Sequence, residues 1–64
     1  MKLKELRLAC NGWDDNITER LRGQMSNQKW GLYRNNELIP GTESRSVKGA
    51  WMAYYELLNN QNND

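Results

Sequence analysis

Few residues in this chain could do chemistry. There is no His, and Cys10 is the one cysteine. A thiol needs a neighbouring base to act as a nucleophile, so Cys10 reads as a small core residue. Asp14 and Asp15 are adjacent carboxylates. Neighbouring side chains diverge on regular secondary structure, so this pair reads as helix-capping acids rather than an acid–base couple. A structural zinc needs about four Cys or His ligands. Gly12, Gly23, Gly31, Gly41 and Gly49 form neither a phosphate loop nor a dinucleotide fingerprint. The sequence therefore predicts no catalytic residue, no metal, no cofactor and no small-molecule substrate.

Charge placement is more informative. The 64 residues carry nine Lys and Arg against eight Asp and Glu, a net charge of +1. Between residues 20 and 34, however, lie Arg20, Arg22, Lys29 and Arg34 with no acid among them. Extending to residue 48 adds Arg45 and Lys48 against Glu37 and Glu43, which leaves a local excess of +4. A basic stripe of this kind is the footprint of phosphate binding, and Arg20, Arg22, Lys29 and Arg34 are the predicted nucleic-acid contacts. Gln24, Asn27 and Gln28 could read base edges. A second surface offers a protein interface: Met52 and Tyr55 flank the apolar stripe of the last predicted helix, and exposed Met and Tyr are enriched at interfaces. The near-zero net charge favours that alternative and excludes a DNA mimic, which needs a large acidic excess.

The elements that must position these residues follow from periodicity. Leu3, Leu6, Cys10 and Trp13 recur on one helix face, which predicts a helix over 2–10, with Gly12 as its left-handed cap. A strand over 2–10 is the competing reading. Asp14, Asp15 and Asn16 could cap a second helix carrying Ile17, Leu21 and Met25 at i, i+4 and i+8. Residues 29–34 and 37–39 read as strands joined by Asn35-Asn36, a pair that tolerates the positive φ of a two-residue hairpin turn. Val47, Ala50, Trp51, Tyr54, Leu57 and Leu58 make an apolar stripe over 44–59, with Ser44 or Ser46 as its cap.

The predicted fold is a small α+β single domain, helix-helix-hairpin-helix and winged-helix-like. The alternative is a three-stranded sheet with two helices, taking residues 2–10 as a strand. The hairpin followed by a helix resembles the small arm-binding domains of phage integrases in element order, without a shared motif, so no family is assigned. Residues 1–58 form the expected compact unit, and 59–64 an expected disordered polar tail. A chain this short has a marginal core, which makes a homodimer or a partner-bound state an expectation. The lone cysteine suits a reducing cytoplasm. Lys4, Glu5 and Arg7 interrupt any leader-like apolar run before Cys10, so neither a signal peptide nor a membrane segment is expected. The function expected is thus a small non-enzymatic DNA-binding or regulatory accessory protein. The alternative is a protein-binding modulator or inhibitor.

Overall fold

A computed structural model of the chain describes residues 2–61. The elements run α1 (Leu3–Ala9), β1 (Thr18–Arg22), β2 (Lys29–Arg34), β3 (Glu37–Leu38) and α2 (Val47–Gln61). The protein is a small α+β domain: two helices and a three-stranded antiparallel sheet in the order β1-β2-β3. This is the composition of the alternative expectation, reached differently. Residues 2–10 hold the helix, and the third strand comes from the segment expected to be the second helix.

That correction has a physical cause. Ile17, Leu21 and Met25 are separated by even numbers of residues, so they fall on one face of a strand as well as of a helix. Two backbone positions decide between the two. Asn16 and Gly23 take φ of 55° and 111°, outside the helical region, and a Cβ on Gly23 would lie 2.8 Å from the Asn27 carbonyl oxygen. Only the first residue of the stripe reaches the core. Ile17 is buried, Leu21 is 42% exposed and Met25 is 94% exposed. The second helix of the expected helix-helix-hairpin-helix order is therefore not formed; its place is taken by β1.

α1 ends in a Schellman motif, with Gly12 N–H donating to the Arg7 carbonyl at 2.8 Å and Asn11 N–H to the Leu8 carbonyl at 3.0 Å. The left-handed position is Asn11, φ 57°, and not Gly12 as expected. Gly12 is needed for another reason: a Cβ there would stand 2.5 and 2.9 Å from the Trp51 ring. The helix has no strong N-cap side chain, but the Glu5 carboxylate accepts from Lys2 N–H at 3.2 Å.

The hairpin forms as predicted. Asn35 and Asn36 have φ of 54° and 65°, the two positive values a type I′ turn requires. β3 is short because Pro40 and Gly41 carry the chain away from the ladder. Pairing resumes where Trp30 and Ser44 exchange backbone hydrogen bonds of 2.6 and 2.8 Å. Thr42 closes the gap. Fully buried, it accepts from Leu32 N–H at 3.1 Å and donates to the Ile39 carbonyl at 2.7 Å.

α2 is capped by Ser46, whose Oγ accepts from Gly49 N–H at 3.0 Å. The helix lies against β2, and α1 packs on it. Leu6, Cys10, Ile17, Leu32, Ala50, Trp51 and Tyr54 form one buried cluster. Trp51 meets Tyr54 edge-on with ring centroids 6.2 Å apart, and Arg7 lies 5.6 Å from the Trp51 ring and 5.0 Å from that of Trp13. Of the tail expected over 59–64, residues 59–61 continue α2, and 62–64 lie outside the described residues. No described helix is long and apolar enough to cross a membrane.

Candidate nucleic-acid interface

The register of the sheet sorts its side chains. Directly paired residues project from the same face. Arg20 pairs with Gly31, Arg22 with Lys29, and Thr18 with Tyr33, so Arg20, Arg22, Lys29 and Tyr33 share one face. Leu32 belongs to the opposite face and to the core cluster against the helices. The basic residues thus occupy the side of the sheet that the helices leave open. On a helix, residues two apart point about 200° from each other, so Arg20 and Arg22 would diverge there. On β1 their separation of two brings them together.

Tyr33 organises this face. It is 8% exposed yet stands outside the core cluster. The guanidinium carbons of Arg20 and Arg22 lie 5.5 and 5.9 Å from its ring centroid. Its ring leans over Gly31: Tyr33 Cε1 is 3.5 Å from the point a Gly31 Cβ would occupy, and Leu38 Cδ1 is 2.8 Å from it. A bare glycine therefore lets the ring lie down on the sheet, and two cations cover it. Such contacts contribute about 0.5–1 kcal/mol each at exposed sites. They hold the guanidinium groups in place without neutralising them. Arg20 Nη2 also donates to Asn36 Oδ1 at 2.8 Å, which ties β1 to the tip of the β2–β3 hairpin.

Among the described residues, neither Arg20, Arg22 nor Lys29 makes a salt bridge; the bridges present are Arg7–Glu19 and Arg34–Asp15. One acid stands at the edge of this face: Glu43 Cγ is 3.8 Å from the same point beside Gly31. Arg34 is placed apart from the other three cations. Its position in β2 puts it on the helix side, where Nη2 donates to the Tyr54 hydroxyl at 2.7 Å and lies 3.7 Å from the Asp15 carboxylate. Gln24, Asn27 and Gln28 fall in the exposed loop between β1 and β2.

The other sequence candidates are also placed. Met52 is 39% exposed on α2, while Tyr55 is half-buried and packs against the core cluster. Asp14 and Asp15 cap no helix: Asp15 instead accepts from Asn11 Nδ2 at 3.4 Å. Cys10 is buried, with Sγ 3.9 Å from the Trp51 carbonyl oxygen, and burial pushes its thiol pKa up. No group of His, Cys, Asp or Glu among the described residues could hold a metal ion.

Sequence reasoning missed Tyr33 as the floor of the basic face. The available signal was the odd spacing of Trp30 and Tyr33 with Gly31 between them, which puts one aromatic on each side of the strand. Compared with family models, curated protein sequences and solved structures, the chain matches none.

Proposed function

We propose that the helix-free face of the sheet binds duplex DNA, and that the protein is a small non-catalytic DNA-binding or regulatory accessory protein of the cytoplasm. One observation carries this reading: Arg20, Arg22 and Lys29 project together from one open sheet face, two of them ordered on Tyr33 and none of them salt-bridged. The major groove admits a β-ribbon as well as a helix, and sheets are an established means of reading DNA. A winged-helix protein would present a recognition helix and use the β2–β3 hairpin as its wing. Here the cations sit on strands, so the sheet replaces that helix. The reducing compartment is supported by the free, buried Cys10.

Three phosphate contacts give a slope of about −2.7 in log affinity against log salt, roughly 40-fold weaker binding between 50 and 200 mM. The test is a salt titration of binding to duplexes of unrelated sequence. Arg22→Ala and Lys29→Ala should each weaken binding similarly for every duplex and reduce the slope by about one. The exposure of Met52 supports the second reading, a protein-binding modulator. If both cation variants bind as wild type does, while Met52→Ala with Tyr55→Ala abolishes capture of a partner, the DNA reading falls and the second stands.

A further inference from the structure

β1 is an edge strand, and its outer side is open. Among the described residues, no backbone N–H or C=O of Thr18–Arg22 bonds to backbone outside the β1–β2 ladder. Edge strands of soluble proteins are normally blunted or covered. This one carries the charged side chains of Glu19, Arg20 and Arg22, but its backbone is uncovered, and it runs beside a mixed depression with one apolar wall. Beside Leu21 lies an open groove of about 400 Å³ lined by Leu21, Met25 and Trp30 together with Lys29, Arg45 and the loop between β1 and β2, and no acid lines it. Leu21 and Met25 are exposed, and Trp30 is only half-buried.

We infer that the free edge of β1 and this groove dock an extended peptide segment of a partner protein, in which an apolar residue is followed or preceded by an acid. The chemistry follows from the pleat. A strand added to β1 places alternate side chains on opposite faces. The residue opposite Leu21 projects to the helix side and enters the groove against Trp30 and Met25. Its neighbour, opposite Arg22, projects to the basic face and is best an acid, because opposite charges across a strand pair attract and like charges repel. Lys29 and Arg45 extend the positive rim. The same rim argues against a second copy of this chain, whose like charges would meet across the interface. It also argues for a peptide over a nucleic acid that the unused groups are main-chain donors and acceptors in alternation, which only another extended main chain can pair.

The inference does not depend on DNA binding: both readings use Arg22 and Lys29, but only this one also requires Leu21, Met25 and the β1 backbone, which the duplex experiment does not read. The probe is a short blocked synthetic peptide of alternating isoleucine and glutamate, followed by backbone amide shifts of the full chain. The expected result is binding with shifts confined to Thr18–Arg22 and the groove, and an affinity at least about fivefold above that of an isoleucine–lysine peptide. Leu21→Asp should abolish binding, and Arg22→Glu with Lys29→Glu should reverse the preference between the two peptides. Met25→Ser, at a residue 94% exposed, should weaken binding without affecting the fold, which keeps the test decisive if Leu21→Asp does not fold. Equal affinity for both peptides, undiminished binding of a peptide N-methylated along its pairing edge, or the same shifts from a single-stranded oligonucleotide with none from the peptide would overturn it.

Discussion

Thr42→Val removes a hydroxyl from a fully buried site while keeping the side-chain shape. In the wild type that hydroxyl is the only described partner of Leu32 N–H, at 3.1 Å, in the middle of the central strand. The Ile39 carbonyl loses the 2.7 Å bond from Thr42 but keeps the Thr42 backbone N–H at 3.3 Å. The substitution therefore orphans one buried donor and weakens one acceptor. An unsatisfied buried group costs about 1–3 kcal/mol, so the variant should lose about 2 kcal/mol. At roughly 0.05–0.15 kcal/mol per residue, the whole domain has only about 3–10 kcal/mol of stability. For a domain of this size each kcal/mol moves the melting temperature by about 4–8 °C, so a circular dichroism melt should fall by roughly 8–16 °C. Thr42→Ser keeps the hydroxyl and loses one methyl, at about 0.8 kcal/mol, and should melt above the valine variant. A valine variant that melts with the wild type, or a serine variant that melts below the valine variant, would refute the reasoning, because the Thr42 hydroxyl would then not be what holds Leu32 N–H.

Three further outcomes are expected. Gly12→Ala should destabilise by about 1–3 kcal/mol, because its Cβ meets the rigid Trp51 ring in a packed core; an unchanged melt would show that the ring moves freely. Arg34→Ala should lower the melting temperature, since Arg34 holds Tyr54 and Asp15, yet leave the salt slope of DNA binding unchanged. A slope reduced by about one would place Arg34 in the interface instead. Burial raises the Cys10 pKa, so the folded state favours the neutral thiol. That stabilisation is fully present below the ordinary thiol pKa and is lost as pH rises through the raised folded value. Denaturant midpoints followed upward through that range should fall more steeply for wild type than for Cys10→Ala, and thiol-reagent labelling of the native protein should be slower than that of the unfolded chain.

Several parts of the fold follow from the sequence alone, because they depend on interactions close along the chain. Asn35-Asn36 specifies its turn by tolerating positive φ twice in succession. The stripe through Ala50, Trp51 and Tyr54 specifies the inward face of α2, and Ser46 its start. The cluster of cations between residues 20 and 34 is likewise visible in composition. Tertiary structure decided what those cations could do. Ile17, Leu21 and Met25 fit both helical and strand periods, and the positive φ of Asn16 and Gly23 together with pairing of β1 with β2 broke the tie. With it, Arg20 and Arg22 came to the same face and Arg34 went to the other. The role of Thr42 was equally illegible, because its partners Leu32 and Ile39 are brought to it by a strand that leaves the ladder at Pro40 and returns at Ser44. The same holds for Gly12, where a left-handed cap was the local reading and a Trp51 ring from the far end of the chain was the actual constraint. Periodicity and turn chemistry are properties of short segments, whereas strand pairing and close approach are decided by residues distant in sequence, whose positions no local pattern encodes.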